Sequence, residues 1–112
     1  MTAIPIDSEV INAARRAGAG VVKRTPITES ATLSERYGGN VVFKAENLQR
    51  TGSFKIRGAM SKLASLGDAV KNGVVAGSAG NHAQAIAFAA RHHNVPCEIF
   101  VPAGASLSKM EA

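Results

Sequence analysis

Lys55 stands between Phe54 and Ile56 in the stretch TGSFKIRGA, residues 51–59, where an apolar helical periodicity begins. Ser53 can cap such a helix, which puts Lys55 in its first turn. Unpaired backbone N–H groups and the helix dipole make the local potential positive there, so a protonated ammonium is disfavoured. Partial burial beside Phe54 would add to the preference for a neutral amine. A neutral amine is a nucleophile that condenses with an aldehyde. The same place also suits a lysine that merely reaches out to solvent from a helix end.

A second group of candidates lies in GSAGNHAQ, residues 77–84, between a predicted strand and a predicted helix. Glycines at such a turn let the backbone approach a ligand, and the exposed N–H groups bind carboxylate or phosphate. Asn81 adds a side-chain amide able to bond a phenolic or carboxylate oxygen. The segment lacks the ending of a Walker loop and the glycine spacing of a dinucleotide fingerprint. An ordinary turn with a helix cap explains the spacing equally well. His82, His92 and His93 supply no metal set: adjacent residues of a helix face apart, and no carboxylate or second cysteine completes them.

The elements that must position these residues follow from the pattern. Residues 7–18 read as a helix capped by Asp7 or Ser8, with Val10, Ile11, Ala14 and Ala17 as its stripe. TPIT marks a turn into a short extended piece, and ESATLSERYGG fits a short helix ending at Gly38. Strands over NVVFKAE, GVVAGS and CEIFVP then alternate with helices over 54–66 and 81–93, which argues for βαβ units and a parallel sheet with flanking helices. In the first of these helices Ile56, Ala59, Met60, Leu63 and Ala64 form the apolar face, and Gly67 terminates it. The second is alanine-rich nearly all round, as expected of a helix pressed closely on a sheet. After VPAGA, Ser106 or Ser108 is placed to open another helix, and the 112 residues read as the front portion of something longer.

Composition narrows the partners. Hydrophobic residues make up 46% and charged residues 19%, which indicates one soluble globular unit. The net charge of +5 is compatible with an anionic ligand. Scattered basic residues and 4% aromatics argue against nucleic acid. No apolar run reaches membrane-span length, and the single Cys97, set in an apolar run, reads as a small core residue. The expected compartment is the cytoplasm.

KAENLQRTGSFKIRGA (44–59) followed by GSAGNHAQAIAFAA (77–90) resembles the front half of the threonine dehydratase (threonine ammonia-lyase) family, with TPIT and VPAGASLSKMEA in the matching order. The resemblance covers nearly the whole chain. It implies an α/β fold of fold-type II pyridoxal phosphate enzymes, of which residues 1–112 would be the N-terminal portion of the catalytic domain. By position, it implies that Lys55 holds pyridoxal phosphate covalently and, once released, takes the substrate's α-proton. Phe54 would pack on the coenzyme ring and Asn81 bond its phenolic oxygen. Ser78, Ala79, Gly80, Asn81 and His82 would wrap the substrate carboxylate, with Gln84 behind them. The implied reaction converts L-threonine or L-serine to 2-oxobutanoate or pyruvate and ammonia, in isoleucine precursor supply, by a homo-oligomer in its full-length form.

Ala79 departs from relatives that racemise serine, which carry a proton-donating serine there; a dehydratase is favoured over a racemase. Family members also continue into a glycine-rich phosphate loop and a residue facing the pyridine nitrogen, neither found in these residues. The competing reading is a non-catalytic α/β module binding an amino acid or small anion. The 112 residues alone are expected to bind pyridoxal phosphate weakly and not to turn over threonine, which a 2-oxo acid assay on the purified chain checks.

Overall fold

The structure is a computed structural model that describes residues 5–105 and residue 111. The helix expected after Ser106 or Ser108 lies outside these residues. Helix α1 spans Ser8–Ala17, and the Asp7 carboxylate caps it by accepting from the Val10 amide at 2.9 Å. Its apolar stripe is not interior: Val10 and Ile11 are both exposed, and only the Ala14 and Ala17 side packs inward, toward α3 (Lys55–Ser65). Strand β1 (Ile27–Glu29), helix α2 (Ala31–Tyr37) and strand β2 (Val42–Lys44) follow. Gly38 takes the left-handed conformation that closes α2, with the Gly39 amide donating back to the Ser34 carbonyl.

The predicted sheet divides. Strands β3 (Val74–Gly77) and β4 (Cys97–Phe100) pair in parallel across α4 (Asn81–His93), the expected βαβ unit. Strand β2 stays out of that sheet and pairs antiparallel with β1 instead, Ile27 opposite Lys44. The α2 turn, closed by Gly38, brings these two neighbours in sequence side by side, a cheaper closure than a long crossover.

Helix α4 is the hub. One side covers β3 and β4, where Val74, Ala76 and Ile99 point inward; another receives α3. Its contact positions are Ala85, Ile86, Ala89 and Ala90, all buried, and three of these four side chains are alanines that let backbones come close. Against them α3 buries Ile56, Met60 and Leu63 completely, at about 1.5–3 kcal/mol each by area. Ala64, expected on that face, is exposed, because α3 turns only its Ile56–Ala59–Met60–Leu63 stripe to α4. The outward side of the sheet is bare: Val75 is 69% and Phe100 60% exposed.

Cys97 also differs from expectation. It is exposed at the first residue of β4, although partial burial still pushes its thiol upward. Helix α4 stops at Asn94, a left-handed residue (φ 54°, ψ 48°) whose neighbour Val95 donates to the Ala90 carbonyl.

Gly73 leads into β3 at φ +89°, and a β-carbon there would lie 3.0 Å from the Pro96 carbonyl oxygen. Gly73→Ala is expected to destabilise the fold by about 1–3 kcal/mol through strained backbone and displaced Pro96, read as a lower urea midpoint.

Candidate active site

Lys55 is delivered by a connector that has little regular structure of its own. Residues Glu46–Leu48 and Arg50–Gly52 are short 3₁₀ turns. What fixes them is side-chain bonding to the backbone of residues 21–25. The Gln49 amide, only 4% exposed, accepts from the Lys23 N–H and donates to the Lys23 carbonyl, both at 2.8 Å. It mimics a strand partner for that one residue. Arg50 Nε donates to the Val21 carbonyl at 2.7 Å. The Lys44 ammonium donates to the Thr25 carbonyl at 2.6 Å, and the Thr25 hydroxyl donates to Glu46 Oε1 at 2.6 Å.

The connector then reverses sharply. Thr51 (φ 61°, ψ 12°) and Gly52 (φ 71°) are both left-handed. For a β-branched residue this costs about 1–3 kcal/mol. The Thr51 hydroxyl is also buried without a partner. The reversal leaves Ser53 extended (φ −157°, ψ 166°), with its hydroxyl accepting from the Lys55 amide at 3.3 Å. Phe54 already has helical dihedrals, so Ser53 acts as the cap that the sequence suggests.

Lys55 and Phe54 therefore sit at the mouth of α3. They line an open cleft of about 400 Å³ together with Gly58 and Lys62 of the same helix and His82 and Ile86 of α4. The first turns of both helices meet there. Among the described residues no side chain caps α4, and its leading N–H groups, which have no intrahelical partners, favour an anion there. The Lys55 ammonium lies 5.0 Å from the centroid of the Phe54 ring, over its face. The partial burial expected around Lys55 does not occur, because Phe54 is 58% exposed and no described segment packs over it.

The loop residues are distributed differently. Of the sequence candidates, Phe54, Lys55 and His82 share the cleft wall. Ser78, Ala79, Gly80, Asn81 and Gln84 form the turn after β3 and the start of α4, adjoining that wall without lining it. Ser78 shapes the turn: its amide donates to the Phe100 carbonyl at 2.9 Å, and its hydroxyl accepts from the Gly80 amide at 3.2 Å. Asn81 and His82 are exposed, and Gln84 is half-buried.

Gly58, Lys62 and Arg57 were missed from the sequence. Gly58 and Lys62 fall three and seven places after Lys55, spacings that helical periodicity puts on one side, so they could have been found. Glu46 left no such signal. It holds Arg57 through a two-pronged pair, Nε to Oε2 at 2.8 Å and the terminal nitrogen to Oε1 at 2.7 Å, across an irregular connector.

Comparison with known proteins follows the same lines. The sequence family described as pyridoxal-phosphate dependent enzyme matches residues 19–112. An L-threonine ammonia-lyase of Thermotoga maritima is 51% identical over 106 residues, 94% of this chain and 26% of that protein. An L-threo-3-hydroxyaspartate ammonia-lyase of Saccharomyces cerevisiae is 43% identical over 110 residues, 97% of this chain and 33% of its own length. The solved structure of maize serine racemase superimposes with a TM-score of 0.86 at 39% identity, over 96% of this chain and 33% of that one. The chain thus spans about a quarter to a third of the length of these relatives.

The Arg57 guanidinium, with the Thr25 hydroxyl adding to it, overcomes partial burial and holds the Glu46 carboxyl at about 2, down from 4.5. A depressed carboxylate contributes stability that is present above pH 4.5 and is lost as the pH falls toward 2. Arg57 is 43% exposed along its side chain, so solvent screening reduces the contribution to about 1–3 kcal/mol. Urea titrations across that interval are expected to show the loss in the native chain and a flatter profile in Glu46→Gln.

Proposed function

This chain belongs to the pyridoxal-phosphate dependent enzyme family, and from that premise we propose that it is the lysine-bearing part of an ammonia-lyase acting on L-threonine and L-serine. The products would be 2-oxobutanoate or pyruvate, with ammonia. One observation carries the reading: Lys55 and His82, from the first turns of α3 and α4, line one cleft.

The residues present fit the coenzyme. The Lys55 amine for its aldehyde, a flat ring at Phe54, the cation Lys62 and the N–H groups at the start of α4 suit a flat anionic aldehyde. Space is open beside Lys55, because a β-carbon built at Gly58 meets nothing within 4 Å. Lys55 would hold the coenzyme, Phe54 would lie against its ring, and Asn81 would bond its phenolic oxygen. When bound, pyridoxal phosphate supplies a conjugated sink for the electrons released at the substrate's α-carbon.

The chain's own residues do the rest. Lys55, once displaced by the substrate's amino group, takes the proton from the α-carbon with its ε-nitrogen as general base. The 78–82 turn, with Gln84 behind it, orients the substrate carboxylate through backbone N–H groups and the Asn81 amide, which fixes the Cα–H bond toward Lys55. The β-hydroxyl departs as water, and a second water then hydrolyses the released enamine, its oxygen becoming the carbonyl of the 2-oxo acid as the nitrogen leaves as ammonia. Ala79 carries no proton to return to the opposite face, which favours elimination over racemisation. The likeness to maize serine racemase makes that second activity the one to exclude.

The same reading makes the full-length protein a cytoplasmic homo-oligomer that supplies 2-oxobutanoate for isoleucine. No described helix is long and apolar enough to cross a membrane.

Replacing the matching segment of the Thermotoga ammonia-lyase with residues 1–112 tests the assignment. The chimera is expected to deaminate L-threonine, and Lys55→Ala in it to lower kcat by at least about 1000-fold. With L-serine as substrate, D-serine formation exceeding pyruvate formation would overturn the lyase reading in favour of racemisation. A chimera that folds and takes up coenzyme through a residue other than Lys55 would overturn the site.

A further inference from the structure

Nothing in the reaction above uses Glu46, yet it is the most heavily bonded carboxylate among the described residues. Its two oxygens accept from Arg57 at 2.7 and 2.8 Å and from the Thr25 hydroxyl at 2.6 Å. Thr25 is buried and its carbonyl is held by Lys44, so the chain of contacts runs from strand β2 through Thr25 and Glu46 to the first turn of α3. Arg57 lies two residues after Lys55 and reaches the same cleft.

Apart from the burial of Ile56, that first turn has little side-chain bonding to hold it. Among the described residues, its other side-chain hydrogen bond is the long one at 3.3 Å from the Lys55 amide to Ser53. The turn also follows a strained reversal at Thr51, which stores a tendency to relax. A guanidinium stays protonated, so a free Arg57 would occupy the cleft as a competing cation without reacting with an aldehyde.

We infer that Glu46 is a positioning residue for Lys55: by gripping Arg57 it fixes the first turn of α3 and draws the guanidinium toward Thr25, leaving the Lys55 amine as the reactive basic group of the cleft. This rests on the proposed role of Lys55. The pair acts as a unit, since removing Arg57 strands a Glu46 side chain only 16% exposed and removing Glu46 frees a guanidinium 43% exposed beside the cleft.

The test uses the 112-residue chain as it stands, with Glu46→Gln, Arg57→Gln, the double variant and Arg57→Lys, all compared at equal folded fraction. Pyridoxal phosphate is added, the adducts are reduced with borohydride, and peptide mass spectrometry gives the ratio of Lys55 to Lys62 modification. That ratio is expected to fall about tenfold in each Gln variant and no further in the double, with Arg57→Lys recovering part of it. In parallel, amide exchange compares residues 57–59 with residues 63–65. Selective loss of protection at 57–59 is expected, whereas general destabilisation would move both sets alike. An unchanged Lys55 ratio overturns the inference even if the variants melt earlier. If the native chain shows no preference for Lys55, the proposed role of that lysine fails on its own. The exchange data then decide alone: selective loss at 57–59 upholds the Glu46 clamp, and uniform or absent loss overturns it. Where Glu46→Gln does not fold, the Arg57→Lys comparison stands in for it, with a fall of about threefold expected from loss of one contact of the pair.

Discussion

The side-chain amide of Gln49 grips the backbone of Lys23 from both sides, and the position of Lys55 depends on that grip. The connector from Glu46 to Gly52 makes no ladder of its own, so its buried polar groups need partners from elsewhere. Gln49 supplies them from within, and Glu46 with Thr25 and Arg57 repeats the device one step nearer the helix. Each bond contributes on the order of 1 kcal/mol net, more where charged. Removing one partner costs more than that, because the buried remainder is left unpaired. The connector is therefore cheap to keep and expensive to loosen.

A polar lock of this kind suits a residue that must be presented at an open surface. The apolar stripe of α3 decides how the helix lies on α4, through Ile56, Met60 and Leu63. Burial of Ile56 sets which side of the first turn faces inward, but apolar packing is not directional and does not aim the polar side chains on the outer side. Direction comes from the bonds at Glu46 and Ser53. The strain at Thr51 lies between the lock and the helix, where a sharp reversal is needed to aim the first turn at the start of α4.

The cleft combines complementary electrostatic elements. The N-terminal turns of α3 and α4 meet there, and Lys55 and Lys62 add positive charge, while Glu46 neutralises Arg57 at the edge. Such a surface favours a small, flat, anionic ligand over a cationic or extended one. The bare outer face of β3 and β4, with Val75 and Phe100 exposed, shows that the sheet packs against helices on one side only among the described residues.

Helix existence and most helix ends were legible in the sequence. Asp7, Ser53 and Gly38 perform local tasks, and capping or left-handed geometry depends on a few adjacent residues. The motif around Lys55 and the turn at 77–84 were legible for the same reason, as was the βαβ unit over 74–100. Other features were not. Period-two patterning told that 42–44 is a strand, but not that it would choose β1 over β3. Cys97 carried the right apolar neighbours and still ended exposed. Ala64 ended exposed because α3 turns only its Ile56–Ala59–Met60–Leu63 stripe to α4.

By itself the sequence determined the local conformations, the apolar stripes that bury α3 on α4, and the residue types at Lys55 and the Ser78–His82 turn. Those properties are set by short-range sterics, hydrogen bonding and helical period. Only the tertiary structure decided that Lys55 and His82 would face one cleft, and that Glu46 would find Arg57 across an irregular connector. Contacts of that kind join segments whose separation in sequence carries no periodic trace, so they exist only once the chain has closed on itself.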